Sequence, residues 1–458
     1  MVPNAGTTGS AATGDLLGPG TSSNGEIAAA RYDLDDSFDH TATDITFTFS
    51  GSVTEGWSDE GWVLDDVVVM VTPNIQDTSA AATYDITTTA SADTITVQDG
   101  PVVDGFQTVE IYADGVGYDL ANKTTITVNA GDGSDAITID NPTAADGVSS
   151  ITVNGQGDDD SARVIATASG ITTTADTGGG AGDAVDVGST LNGIAGELDL
   201  VDAGDGGAAT LDDSSDTTPN VVTVSVGTVA VTYVTGASPG DIDVAGMASI
   251  ALSLGAGNDT LRVQGADPAV YYDLDLGPGR DALAMLGSGS VASGSPIQGG
   301  SQKDTVKYPK YSSGVTVDLS LGTATGTPGI SGFENVTGSA FPDALTGDDG
   351  PNVIAGTGGG DTLSGLGGDD QLTGTAGDDV VSGGDGNDRM NGAEGDDHLM
   401  GDAGNDRMAG GAADVAEGGD GNDRLGVKDG VHGNDSADGG SGTDTCVVDS
   451  GDNVVSCP

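Results

Sequence analysis

The chain of 458 residues is poor in positive charge, in aromatic side chains and in long apolar segments. It has 12 Lys and Arg against 72 Asp and Glu, which gives a formal net charge of −60. So acidic a surface repels nucleic acid and anionic membranes, and we expect neither as a partner. No apolar run approaches the ~20 residues of a membrane helix, so we expect no membrane insertion. The same surface would attract cations.

Cysteine is almost absent, and the ordinary signs of export are missing too. Cys446 and Cys457 are the two cysteines, and in a secreted protein they could form a local staple. The first ten residues have neither the basic n-region nor the apolar h-region of a signal peptide. Three explanations for the missing signal peptide remain open: a leader has been removed, export uses another signal, or the chain is a piece of a longer protein.

Short runs of Val, Ile and Thr fill the chain, separated by Gly, Asp and Asn. These runs are typical of strands and turns, and we expect little helix. Gly supplies 79 residues, and Leu, Ile, Val and Phe together make up about a fifth of the chain. That apolar share lies at the border of disorder for a highly charged chain, so a bound cation is expected to help folding.

A nine-residue repeat runs through the C-terminal part. Seven units follow one another in phase over residues 347–409, each with Gly at positions one and four and an apolar residue at position eight. Position six is Asp in six units and Asn352 in the first. Residues 410–417 form a unit one residue short, in which we expect Val415 at the Asp position. Residues 418–426, 430–438 and 439–447 fit the repeat again.

The residue types of this repeat suit calcium. Gly permits positive φ, which lets carbonyl oxygens turn inward. Carbonyl and carboxylate oxygens are the ligands that Ca²⁺ prefers, at six to eight per ion. Two nonapeptides would make one coil, so turns on the same side would stack about 4.8 Å apart. Stacked carboxylates at that distance would repel one another without a cation, so binding is expected to be coupled to folding.

The repeat resembles the β-roll of RTX proteins, in which G-G-x-G-x-D-x-U-x units bind calcium. The resemblance implies several calcium ions, held by backbone oxygens of positions two and four and by the Asp of position six. In this chain the implied ligands are Thr357, Gly359, Asp361, Leu366, Gly368, Asp370, Thr375, Gly377, Asp379, Gly384, Gly386, Asp388, Ala393, Gly395, Asp397, Asp402, Gly404, Asp406, Gly419, Gly421, Asp423, Gly433, Asp435, Gly440, Gly442 and Asp444.

Similar turns occur earlier in the chain at wider intervals. They end at Asp135, Asp159, Asp259 and Asp281, with a weak copy, GGSQKD, that ends at Asp304. Gaps of about 22–24 residues between neighbours predict larger coils of a parallel β-helix. One of these turns is included among the calcium sites, with Gly255, Gly257 and Asp259 as its ligands.

These patterns predict an all-β chain: a right-handed parallel β-helix and β-roll solenoid, preceded by a partial β-sandwich. Residues 1–74 are expected to be the end of a jelly-roll module, because residues 56–69 resemble its last strands. An irregular β-helix over 75–340, the nonapeptide β-roll over 341–426 and a cap over 427–458 would follow. The C-terminal sequence resembles bacterial caps in which two cysteines pair, so the resemblance implies a Cys446–Cys457 bridge.

Three functions are compatible with these predictions. The first is a secreted bacterial calcium-binding protein that serves as an extracellular structural or adhesive scaffold, with an unidentified cell-surface or polysaccharide partner. The second is the non-catalytic C-terminal region of a secreted RTX hydrolase, such as a serralysin-like peptidase. The third is a carbohydrate-active β-helix enzyme, which a groove lined by Lys303, Lys307 and Tyr308 would favour. The sequence contains no catalytic motif.

Overall fold

The structure is a computed structural model that describes residues 74–188, 190–202, 206–225, 228–233 and 241–457. The predicted jelly-roll segment lies outside these residues, apart from its last residue. The described part belongs to a compact unit that spans residues 70–458. The one helical element of the described part is the short 3₁₀ turn Leu191–Gly193. Within it, no helix is long and apolar enough to cross a membrane.

Three sheets make up the fold, and one of them, the shared sheet, runs along the whole described part. Its strands are Ala81–Thr87, Lys123–Asn129, Ser150–Asn154, Thr172–Asp176, Leu198–Val201, Asn220–Ser225, Thr228–Tyr233, Asp241–Ala245, Thr260–Val263, Ala282–Met285, Thr305–Lys307, Asn335–Thr337, Val353–Ala355, Gln371–Ala376, Arg389–Glu394, Arg407–Ala409, Arg424–Gly426 and Thr445–Val447.

The other two sheets accompany different parts of the shared sheet. The N-terminal sheet contains Asn74–Asp77, Thr94–Val103, Phe106–Ala113, Val116–Leu120, Ala136–Asp140, Ser161–Ala166, Ala184–Val187, Ala208–Asp212, Ser249–Ser253, Tyr271–Asp275, Ile297–Gln298 and Ile330–Ser331. The C-terminal sheet contains Thr316–Asp318, Thr323–Ala324, Ala344–Thr346, Thr362–Gly367, Val380–Asp385, His398–Ala403, Val415–Glu417, Asp420–Gly421, Ser436–Asp438, Ser441–Gly442 and Asn453–Val455.

The coils of the nonapeptide array are shorter than the early coils. Parallel pairing joins Ala136 to Ser161 and Ser249 to Tyr271, and hydrogen bonds between the same coils have sequence separations of 25 and 22. In the nonapeptide array (residues 347–447) Thr362 pairs with Val380, and the separation falls to 18. The predictions of a parallel solenoid, of wide early coils and of two nonapeptides per later coil are confirmed.

Two antiparallel insertions interrupt the early coils. The strands Thr94–Val103, Phe106–Ala113 and Val116–Leu120 form a meander. A second hairpin joins Asn220–Ser225 to Thr228–Tyr233. These insertions widen the spacing between the strands that pair across them, such as Ala81–Thr87 with Lys123–Asn129, and the coil repeat resumes after each.

The core lies inside the coils and follows from the two-residue alternation of strands. In the early coils each strand typically turns two apolar residues inward, such as Ile137 and Ile139, whose exposures are 2% and 0%. In the array each strand turns one inward, such as Leu363 or Leu372. The chain therefore buries less apolar surface per strand in the array than before it.

Candidate calcium sites

Eight turns of the array share one backbone conformation. Positions two and four have positive φ in the turns that begin at residues 356, 365, 374, 383, 392, 401, 418 and 439. Position two keeps it even where the residue is not Gly, as at Thr375 and Asp402, with φ of 93° and 66°. A non-Gly residue in this conformation is unfavourable, so the surrounding stack must impose it.

Position four must be Gly for a second reason. A Cβ at Gly377 would collide with the carbonyl oxygen of Gly359, one coil earlier, and a Cβ at Gly386 with that of Gly368. The turns therefore stack backbone against backbone, with their carbonyl oxygens close to the next coil. Such a column of carbonyls offers hard oxygen ligands to a cation.

Position six forms two columns of buried aspartates, one along each edge of the array. One oxygen of each carboxylate accepts a hydrogen bond from the backbone N–H of the Asp one coil earlier. The Asp370 N–H donates to Asp388 Oδ1 at 2.8 Å, and the Asp388 N–H donates to Asp406 Oδ1 at 2.8 Å. The other edge repeats this from Asp361 to Asp379 at 2.7 Å. These bonds orient every carboxylate in its column alike.

The second carboxylate oxygen has no hydrogen-bond partner in the described part of the chain. It is buried and unpartnered in Asp361, Asp370, Asp379, Asp388, Asp397, Asp406, Asp423, Asp435 and Asp444. The exposures of these residues lie between 1% and 4%. An ionised carboxylate that is buried and incompletely bonded is costly, and binding a cation removes that cost.

Electrostatics point the same way. Burial raises the pKa of Asp406 to about 7 and that of Asp361 and Asp370 to about 6. Burial also raises the pKa of Asp379 and Asp388, and their charged neighbours add to the effect. The fold therefore holds these carboxylates in an environment that disfavours their charge unless a positive group is added.

In three members of the columns, both polar atoms at the end of the side chain form hydrogen bonds. Asn352 donates from Nδ2 to the Glu334 carbonyl at 2.9 Å and to Asp348 Oδ1 at 3.1 Å. Asp343 accepts hydrogen bonds from the backbone N–H and hydroxyl of Ser339. Asp414 accepts one from the Gly411 N–H. These positions lack the unpartnered oxygen that marks the others.

The assignment of Val415 to the Asp position is wrong. Asp414 is in the column, because the Asp397 N–H donates to it and its own N–H donates to Asp435, each at 2.9 Å. Val415 instead begins the strand Val415–Glu417. The residue missing from this short unit is therefore missing from the turn, not from the strand, and Gly411 does not have positive φ.

The early turns also contain a column of buried aspartates, with one shift from the sequence interpretation. The turn assigned to end at Asp159 ends at Asp160, which is 1% exposed and accepts a hydrogen bond from the Asp135 N–H. Asp259 lies in a second column, on the opposite edge of the coils, and its N–H donates to Asp281. Gly255 and Gly257, however, do not have positive φ.

The nonapeptide region matches a family of known proteins. The family model of the RTX calcium-binding nonapeptide repeat (4 copies) matches residues 329–363, 337–372, 346–381, 373–408, 408–425 and 432–455. The C-terminal region is an RTX calcium-binding repeat array. Its cofactor is Ca²⁺, and the predicted resemblance is confirmed for this region. No curated protein matches the chain.

The residues of the expected groove are held in other contacts, and Lys303 Nζ donates to the Pro351 carbonyl, in the first repeat unit, at 2.8 Å. Tyr308 is fully buried, and its hydroxyl donates to the Thr325 carbonyl at 2.8 Å. The surface groove of Lys303, Lys307 and Tyr308 is therefore not formed. The side chain of His398 is 41% exposed, and its Nε2 lies 3.2 Å from Glu417 Oε1.

The two cysteines lie at the C-terminal end of the RTX array. Cys446 and Cys457 form a disulfide with their Cα atoms 5.9 Å apart. Cys446 belongs to the last strand of the shared sheet, Thr445–Val447. The bridge therefore ties the chain end back to that strand.

Proposed function

We propose that the protein is an extracellular scaffold, structural or adhesive, whose RTX array becomes rigid when calcium binds between stacked turns. The observation that carries this proposal is the pair of columns of buried carboxylates, each with one oxygen lacking a partner. Those carboxylate oxygens lie among stacked backbone carbonyls. A calcium ion can therefore bind the carboxylate oxygens and the carbonyl oxygens at the same time. Its binding energy then becomes folding energy.

The proposed ligands are the residues that the repeat predicts at positions two, four and six. Five stacked turns on one edge keep both positive φ values and the buried Asp, and three do so on the other. Four spaces between turns on the first edge and two on the second give six strong sites. The turns on the first edge are 365–370, 383–388, 401–406, 418–423 and 439–444, and those on the second are 356–361, 374–379 and 392–397.

The short unit limits the second edge. Its turn lacks positive φ at Gly411, and both oxygens of Asp414 already accept hydrogen bonds. We propose that calcium is absent or weak at this unit, which separates Asp397 from Asp435 in the column.

A column of arginines supports the adhesive role. Arg389, Arg407 and Arg424 lie in register on consecutive strands of the shared sheet, and all three are exposed. None has an ion pair in the described part of the chain. Like charges on adjacent strands destabilise a sheet. We propose that this column binds a linear acidic polysaccharide, whose regularly spaced carboxylates complement it.

The calcium-dependent part of the proposal is tested by titrating the calcium-stripped chain with CaCl₂ and, separately, with MgCl₂. Far-UV circular dichroism should show a cooperative gain of β signal at millimolar calcium or below. Magnesium should not replace calcium, because it demands a smaller octahedral site. A full β spectrum without calcium, unchanged on titration, would contradict the proposal.

The adhesive part is tested separately with calcium-loaded protein on immobilised polyuronate. The triple substitution of Arg389, Arg407 and Arg424 to Gln should abolish binding, while calcium stoichiometry stays unchanged. Arg163→Gln and Arg262→Gln are controls on other strands. Equal binding of polyuronate by the triple variant and the unsubstituted protein would show that the arginine column is not the binding site. Preferential binding of nucleic acid would show that the partner of the column is not a polysaccharide.

A further inference from the structure

Buried aspartates also form columns well before residue 329, where the RTX match begins, one on each edge of the early coils. Asp135, Asp160, Asp259, Asp281 and Asp304 are each at most 2% exposed, and each has an Oδ2 without a hydrogen-bond partner in the described part of the chain. The early coils therefore contain the same unsatisfied oxygens as the RTX array.

Two neighbouring early turns also share the backbone of the RTX turns. In the turn 130–135, Gly131 and Gly133 have φ of 98° and 120°. In the turn 155–160, Gln156 and Asp158 have φ of 80° and 69° at the equivalent positions. Non-Gly residues rarely adopt this conformation, so their occurrence at both positions of one turn indicates that the stack imposes it.

These two turns stack directly on each other. A parallel bridge joins Asp132 to Gly157, and the Asp135 N–H donates to Asp160 Oδ1 at 2.7 Å. Asp160 Oδ2 lies against Gly155, at the start of its turn, as Asp361 Oδ2 lies against Gly356 in the RTX array. The position of the unpartnered oxygen within the turn is thus the same in both regions.

Carbonyl oxygens also face the next coil, as they do in the array. A Cβ at Gly178 would collide with the carbonyl oxygen of Gln156, and a Cβ at Gly131 with that of Thr89. Burial raises the pKa of Asp160 to about 7 and also raises that of Asp135. The early turns therefore combine hard oxygen ligands with an environment that needs positive charge.

We infer that the early coils bind calcium independently of the RTX array, at a site between the turns 130–135 and 155–160. The carboxylates of Asp135 and Asp160 provide its charge, and carbonyl oxygens of the two turns complete it. The turn 254–259 is not included, because Gly255 and Gly257 lack positive φ.

A second site of the same kind lies between the turns 276–281 and 299–304. Gly277, Gly300 and Gln302 have φ of 78°, 101° and 88°. A parallel bridge joins Pro278 to Ser301, and the Asp281 N–H donates to Asp304 Oδ1 at 2.7 Å. Both carboxylates have an unpartnered oxygen. This pair therefore repeats the stacking, the carboxylate hydrogen bond and the unpartnered oxygens of the first site, but Gly279, at position four of its first turn, does not have positive φ.

The test compares calcium stoichiometry in full-length variants by equilibrium dialysis against CaCl₂. The double variant Asp135→Asn and Asp160→Asn should bind one ion fewer than the unsubstituted protein. Asn keeps an Oδ1 that can accept the hydrogen bond of the column, as the carboxylate Oδ1 of Asp160 does from the Asp135 N–H. The control, Asp132→Asn and Asp159→Asn, removes two exposed carboxylates from the same turns and should leave the stoichiometry unchanged. Unchanged stoichiometry in the first variant would overturn the inference.

Hydrogen exchange of the unsubstituted chain provides a second readout, which needs no variant. Adding calcium to stripped protein should slow exchange at 130–135, 155–160, 276–281 and 299–304. If the RTX array responds and these turns do not, the inference fails while the proposed function stands. If the array does not respond either, the proposed function fails as well.

Discussion

The early coils (residues 81–307) and the RTX array (residues 347–447) both contain columns of buried aspartates but differ in the number of apolar side chains inside each coil. Early strands typically bury two apolar side chains each, such as Ile151 and Val153, and bonds between successive coils have sequence separations of 22 to 25. Array strands bury one each, such as Val381 or Leu399, and the separation is 18 where the repeat is unbroken. The shorter coil therefore has less hydrophobic stabilisation with which to oppose chain entropy.

This difference teaches where calcium matters most for folding. A coil that buries little apolar surface and holds two unsatisfied carboxylates depends on the cation for its net stability. A coil with a larger apolar interior can fold without it and gains only additional stability from binding. We therefore expect the two regions to respond to calcium to very different degrees.

Removal of calcium should have the largest effect and should divide the molecule. In chelator, we expect residues 356–447 to lose protection from limited proteolysis, while the core of residues 94–285 remains protected. Mass spectrometry of the fragments locates the cleavage sites. Even cleavage along both regions, or protection of both, would abolish the distinction between them.

Loss of two carboxylates in the long column should have the next largest effect. The double variant Asp388→Asn and Asp406→Asn should raise the calcium midpoint of folding about tenfold or more, a change of about 1.4 kcal/mol or more, because two charged oxygen ligands are lost. The midpoint is read by circular dichroism. The control, Glu394→Gln and Asp396→Asn, removes two exposed acids from the array. Equal shifts in both variants would mean that net charge, not the column, sets the midpoint.

Acidification should stabilise the array when calcium is absent. Burial raises the folded-state pKa of Asp361 and Asp370 to about 6 and that of Asp406 to about 7, above the ~3.9 of an unfolded Asp. The folded state then binds more protons, so this contribution is complete below the unfolded pKa and is lost as pH rises through 6 to 7.

Thermal unfolding at pH 5 and pH 8 tests this sign, with stripped protein in metal-free buffer. More of the array's β signal should be present at pH 5 than at pH 8, and the part that is folded should melt at a higher temperature at pH 5. In saturating calcium the order should reverse, because protons compete with the metal for the same carboxylates. The same trend with and without calcium would show that these carboxylates are not the ligands.

Loss of the disulfide should have the smallest effect and should stay local. The bridge closes a loop with a sequence separation of 11, for which loop entropy predicts about 2–3 kcal/mol. Cys446→Ser with Cys457→Ser should therefore speed hydrogen exchange at Asn453–Val455 and leave residues 356–409 unchanged. The unsubstituted protein under reducing conditions is the matched control. Loss of calcium response throughout the array would show that the bridge supports more than the chain end.

The sequence predicts the solenoid well because residue types reveal both of its periods, the two-residue alternation of the strands and the recurrence of the turns. Strands alternate apolar and polar residues, and turns recur with Gly and Asp at fixed spacing, so both the long early coils and the short later coils could be expected. The family match confirms calcium binding for the array. Individual ligands remain proposals, since the repeat predicts residue types at each turn and not the bound ion.

In two of the early turns the backbone conformation departs from what the residue types suggest. GGSQKD resembles the repeat only weakly, yet Gly300 and Gln302 adopt the positive φ of the RTX turns. LGAGND resembles it closely, yet Gly255 and Gly257 do not. Stacking can force a non-Gly residue into positive φ, and a Gly need not adopt it. Residue types alone therefore cannot show which turns have the backbone conformation of the RTX turns.

A shift of one residue caused the remaining errors. Among three consecutive aspartates, 158–160, the sequence interpretation chose Asp159, but the hydrogen bond from the previous coil is accepted by Asp160. In the short unit, the sequence could not show that the deletion falls in the turn, which selects Asp414 over Val415. In each case the buried Asp is identified by a hydrogen bond from the neighbouring coil, which the sequence does not show.

The most direct test is a crystal structure of the calcium-loaded chain with anomalous scattering recorded for calcium. The account predicts ions between same-edge turns of the array, about 2.3–2.6 Å from the second carboxylate oxygen of residues such as Asp388 and Asp406. Ions bound only at exposed acids, with the buried oxygens of both columns still unpartnered, would contradict it.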